Sequence, residues 1–114
     1  MGAPARTVTS LTAATGTATG SELVLGSEEH YITAYVHSTG TISAGVITIE
    51  EAHDSGYAGG TWASVSAITV PTSGNQIGVA HAVGVYSVIR ARVSTAITGG
   101  GSATAILIAV PAAS

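Results

Sequence analysis

Along residues 31–37 large apolar and polar positions alternate strictly. Ile32, Ala34 and Val36 fall on one face, Tyr31, Thr33, Tyr35 and His37 on the other. A two-residue period is the mark of a β-strand, and Ser38-Thr39-Gly40 ends this one. The same reading predicts a strand over 45–52, with Ile47 and Ile49 opposed to Val46, Thr48 and Glu50. Further strands follow over 62–70, stopped by Pro71-Thr72-Ser73-Gly74, and over 75–81, where Ile77 and Val79 share a face. From 85 to 95, Ile89, Ala91 and Val93 lie together, opposite Tyr86, Val88, Arg90 and Arg92. After Gly99-Gly100-Gly101, residues 103–110 are apolar on both faces, which predicts a strand inside a sheet. The stretch His53-Asp54-Ser55-Gly56-Tyr57-Ala58-Gly59-Gly60 reads as a loop, because its glycines admit positive φ and Asp favours turns.

Residues 1–26 differ from the rest, being rich in Ala, Thr and Gly with little bulk to bury. They read as an N-terminal arm carrying weaker strands near 7–11 and 22–25, ahead of a folded domain over 27–114. Together these are six clear strands and two weaker ones, with no helical period. Short strands with Gly and Pro turns predict an all-β fold, an antiparallel two-sheet β-sandwich of jelly-roll or immunoglobulin-like type.

Composition agrees and adds a constraint. Ala, Thr, Ser and Gly make up 64 of the 114 residues, Val and Ile 22 more, and Leu only four. β-Branched side chains lose rotamer freedom in helices and suit pleated surfaces. The length bounds the chain to one domain. Only nine residues carry formal charge and none is lysine, whereas a free monomer usually scatters both signs over its surface and guards sheet edges with Lys. The expectation is a surface largely covered by other subunits. With Arg6, Arg90 and Arg92 as the fixed cations and a net charge of −3, no basic face for nucleic acid is expected. The absence of Cys removes disulfides and thiol chemistry. No apolar run approaches the ~20 residues that cross a bilayer, and the N-terminus has no signal-like apolar core, so neither membrane insertion nor classical secretion is expected.

Catalytic devices are missing: there is no nucleophile elbow, no phosphate-binding glycine loop and no His-Glu-x-x-His pair. The glycine run at 99–101 reads as a turn. Glu50-Glu51-Ala52-His53-Asp54 is the densest polar cluster. Alternation places Glu51 and His53 on one face and Glu50 and Asp54 on the other, too few convergent ligands for a metal. The histidines at 30, 37, 53 and 81 are scattered over separate segments and read as surface or interface residues. No cofactor, no metal and no enzymatic activity are expected. Trp62, Tyr57 and Tyr86 suit either a sugar-stacking platform or the core. With no Phe in the chain, the core needs the volume of its single Trp. Arg90 and Arg92 stand two residues apart on one strand face, placed to meet Glu50, Glu51 or acids on a neighbour, or simply to face solvent. The candidate interface residues are therefore Arg6, Arg90, Arg92, Tyr57 and Trp62.

A strand ending in acids (Val46 to Glu51) is followed by Asp54-Ser55-Gly56, by Thr61-Trp62 and by Tyr86-Ser87-Val88-Ile89-Arg90-Ala91-Arg92-Val93. Then come the glycine run and an apolar last strand. This pattern, over about residues 29–110, resembles small virion proteins of tailed bacteriophages. The resemblance implies a structural, non-catalytic role as a cement or decoration protein on the capsid surface, with the major capsid protein and further copies of the chain, as a homotrimer, for partners. A carbohydrate- or receptor-binding module and a head–tail neck or tail adaptor are the alternatives it leaves open.

Overall fold

A computed structural model describes residues 5–72 and 75–112. Six strands run through them: β1 (Arg6–Ala14), β2 (Thr19–Thr39), β3 (Ala44–Ala52), β4 (Ala63–Thr69), β5 (Gln76–Thr98) and β6 (Ser102–Pro111). Among the described residues there is no helix. Every pairing is antiparallel, and all six strands join one sheet in the order β1-β6-β2-β5-β3-β4. The all-β, antiparallel expectation holds. The expected two-sheet sandwich, jelly-roll or immunoglobulin-like, does not: the strands form a single continuous sheet.

The reason lies in two very long strands. β2 has 21 residues and β5 has 23, against a usual five or six. The segments read as separate strands at 22–25 and 31–37 are both parts of β2, and those at 75–81 and 85–95 are both parts of β5. Between the two parts of β2 lies a bulge. Val24 pairs with Val88 and Glu28 with Tyr86, so β2 carries two residues more than β5 over this interval. Gly26 (φ 77°) and Ser27 (φ 66°) absorb the excess in left-handed conformations. Bulges bend a strand and sharpen its twist, and here the inward-facing parity changes. β2 buries Leu23 and Leu25 before the bend, then His30, Ile32, Ala34 and Val36 after it. β5 buries Val88 and Ile89 in succession. A sequence period that breaks in this way mimics the end of a strand.

Past the bend the sheet folds over itself, carrying β3 and β4 across the first half of β5. Ile49 and Val65 there face Ile32, Ala34, Ala80 and Ala82. A β-carbon at Gly78 would stand 2.9 Å from the Ile68 Cγ2. The inner face of β5 is made of Gly78, Ala80, Ala82 and Gly84 because the opposing layer comes that close. The core between the layers is aliphatic, with Val36, Ile47, Ile49, Ile89 and Leu107 among its fully buried side chains.

Most of the leader belongs to this structure. Residues 6–14 form the edge strand β1 along β6, and Leu11 and Ala14 enter the core. The buried Ser10 hydroxyl donates to the Ser21 carbonyl (2.8 Å) and accepts from the Ala91 N–H (2.9 Å). A β-carbon at Gly20 would collide with Ser10 and come within 2.8 Å of the Ala91 carbonyl. The low bulk that suggested an arm thus permits close backbone packing instead. Residues 1–4 of the expected arm, and Ser73 and Gly74 of the expected turn before β5, lie outside the described residues. The glycine run is a turn as expected: Gly99 and Gly100 have positive φ, and the Gly101 N–H donates to the Thr41 carbonyl at 2.7 Å.

Candidate functional site

The sheet has one outer surface with two different halves. Over β3 and the second half of β5 it is polar. Glu50 sits opposite Arg90 in the β3–β5 register, and Thr48 opposite Arg92. Glu50 is 2% exposed. Its Oε1 accepts from Arg90 Nε at 3.1 Å and its Oε2 from Arg92 Nε at 2.8 Å. Both oxygens of one carboxylate are thereby used by two guanidinium groups, a charge-assisted arrangement about twice as strong per bond as neutral pairing. The Arg90 guanidinium lies 3.8 Å from the centre of the Trp62 ring, a cation–π contact.

Trp62 is 5% exposed, and its indole N–H donates to the Tyr57 carbonyl at 2.9 Å. It belongs to the interior. The loop it closes is held from the other side by Glu22, whose carboxylate accepts from the Ser55 hydroxyl (2.8 Å) and the Gly56 N–H (2.9 Å). Tyr57 stacks at a tilt on His53, 4.9 Å between ring centres, and a β-carbon at Gly59 would meet the Tyr57 ring at 2.9 Å. Beside this loop opens a groove of about 310 Å³ whose lining includes Glu51, His53, Tyr57, Thr61, Val85 and Ser87. Burial, and secondarily the charge of Glu51, hold the neighbouring Tyr86 phenol above its usual pKa.

Four of the five candidate residues thus come together: Arg90, Arg92 and Trp62 in one stacked cluster, with Tyr57 hydrogen-bonded to it. Arg6 is not in that cluster; its Nη1 donates to the Val24 carbonyl at 2.6 Å. Alternation separated Glu50 from Glu51 and His53, as found. It also set Asp54 apart from His53, yet the Asp54 carboxylate lies 3.3 Å from His53 Nε2, because the strand has ended by then. Glu50 turns to the arginines, while Glu51 and His53 line the groove. Among the described residues, no three metal-ligating side chains converge. Chemically the cluster is a clamp: one buried carboxylate bridges two guanidinium groups, and the Arg92 side chain stays 37% exposed.

The second half of the outer surface, over β6, β2 and the first half of β5, is apolar and uncovered. Val110, Tyr31 and Val83 stand in one row across three paired strands, and Ile106, Tyr35 and Val79 in another. Tyr31 and Val83 are each 56% exposed and Ile77 64%. The sequence reading passed over this face. Ile77 and Val79 share a face as it stated, but in β5 the large residues point outward and Gly and Ala point in. The available signal was the alternation of Ile, Val and one His with Gly or Ala from 77 to 85.

No known protein family matches this sequence, and no curated protein does. A solved structure shares the fold: the SPBc2 prophage-derived protein YomS, with a TM-score of 0.57 and 18% identity, aligned over 94% of this chain and 93% of that one.

Proposed function

We propose that this protein is a structural component of a tailed-phage particle, of the cement or decoration type, that binds the major capsid protein and other copies of itself on the head surface. The observation that carries the reading is the fold shared with a prophage-derived protein over nearly the full length of both chains. Two further features support it. The groove beside Tyr57 is open, and the carboxylate of the cluster next to it is engaged by two arginines of the same subunit, which supports a structural reading. The chain also turns most of its exposed large hydrophobic side chains to one outer face, as surfaces that dock other macromolecules do. Weak contacts repeated by many copies on a symmetric shell add up through avidity.

The sugar-platform alternative loses its main residue, because the indole of Trp62 is buried under Arg90. The test is the abundance of this chain relative to the shell protein in purified particles. A stoichiometry near that of the shell protein is expected of a cement protein. A ring-sized copy number per particle would make it a neck or tail adaptor instead, and absence from particles would end the proposal.

A further inference from the structure

We infer that the outer face of β6, β2 and the first half of β5 is the surface through which two copies of this chain pair, face to face about a two-fold axis. This goes beyond the role on a particle and holds or fails without it.

Clustering is the first argument. Seven of the eight large hydrophobic residues that stand exposed among the described residues lie together on this face, whereas the exposed hydrophobics of a monomer are normally scattered singly. Direction is the second. Within β5 the chain buries glycine and alanine while exposing Ile77, Val79, Val83 and Val85. In β6, Ala103, Ala105 and Ala109 are buried while Val110 is 41% exposed. The interior needs small residues to let β4 approach, but nothing inside the subunit needs large ones outside.

Charge selects the occupant. No Asp, Glu, Lys or Arg stands in the rows from Tyr31 to His37 or their partners on β5 and β6, and Glu29, opposite Val85, lies at the rim. The face neither repels a copy of itself nor offers a charged partner anything to recognise.

Symmetry completes the case. The central row holds Thr33 and His81, hydrogen-bonded at 3.2 Å. On either side the pattern repeats itself: Tyr31 and Tyr35 on β2, Val83 and Val79 on β5. Turning a second copy by half a turn about an axis along this row sets Tyr31 of one copy over Tyr35 of the other, and Val79 over Val83. That is the self-complementarity an isologous contact requires, at the ~10 Å spacing of packed sheets. Such a pair is two-fold, where the resemblance to phage virion proteins implies a homotrimer.

The test is light scattering on the full chain after gel filtration. The wild-type chain is expected at twice the monomer mass at micromolar concentration. The double substitution Val79→Glu with Val83→Glu, at positions already half exposed, is expected to weaken pairing roughly hundredfold or more by setting like charges against each other across the axis. Its circular dichroism should match the wild type. Should that variant misfold, Thr33→Cys with a short bismaleimide replaces it, since a cysteine on the axis must cross-link to its own copy. A wild-type monomer at high concentration overturns the inference, as does a dimer indifferent to the glutamates or a Thr33→Cys chain that fails to cross-link. A face covered by the shell protein or a glycan instead would give that monomer in isolation and leave the particle abundance unaffected.

Discussion

The two halves of the outer surface are built by opposite rules. Over β3 and the second half of β5 the residues are charged, and the subunit pairs them internally: Glu50 joins Arg90 and Arg92, Arg90 stacks over Trp62, and Glu22 ties down the loop. Over β6, β2 and the first half of β5 they are apolar, and the subunit leaves them open. A chain with nine charges places two of its three cations and a buried acid in one cluster, and keeps its most hydrophobic strand face free of charge. The polar half stabilises the monomer. The apolar half leaves its large side chains open to solvent.

This contrast is open to measurement. Trp62→Ala is expected to have the largest effect, about 3–5 kcal/mol of lost stability, from the cavity and the vanished ring under Arg90. Urea unfolding read by circular dichroism measures it, and a loss below about 1 kcal/mol would mean that the ring is not core. Glu50→Gln follows at about 2–3 kcal/mol, below the usual range for breaking a buried pair because Arg92 is more than a third exposed. A double-mutant cycle with Arg90→Met separates pairing from packing. Gly78→Val is expected to cost about 1–2 kcal/mol, because its side chain enters the space of Ile68; an unchanged melting temperature would contradict the folding of β4 over β5.

A smaller effect is expected at alkaline pH. The raised pKa of Tyr86 means that the unfolded chain ionises first, near pH 10, so the contribution of this residue is intact below that pH and is lost as pH rises through the folded value. Melting curves from about pH 8 to about pH 11 should fall more steeply for the wild type than for Tyr86→Phe. The smallest effect belongs to the apolar half. Val83→Thr should leave monomer stability within about 0.5 kcal/mol, as at other exposed positions. A large loss there would erase the distinction between the halves.

Much of the fold was legible because strand formation is a local affair. The alternation at 31–37 put Ile32, Ala34 and Val36 on one face, which the structure buries, and the glycine run at 99–101 announced a turn. The scarcity of charge marked Glu50, Glu51 or acids on a neighbour as possible partners of Arg90 and Arg92, and the structure selects Glu50. Three things escaped. The bulge at Gly26–Ser27 looked like a strand end, because a residue pattern does not distinguish a break in pairing from a change of facing. The small residues of 6–26 looked loose, because nothing in them says that Ala91 and Ser10 will meet. That Ile77 and Val79 share a face was legible, but not which way the face turns, because size, ordinarily a guide to burial, is no guide here.

By itself the sequence determined that the chain is extended, antiparallel and short of charge, since those properties follow from period, turn residues and composition at each position. Tertiary structure alone decided that β2 and β5 run unbroken through a single folded sheet, and which side of β5 turns to water. Both depend on how closely β4 approaches Gly78, a distance between residues far apart in the chain that no local pattern encodes.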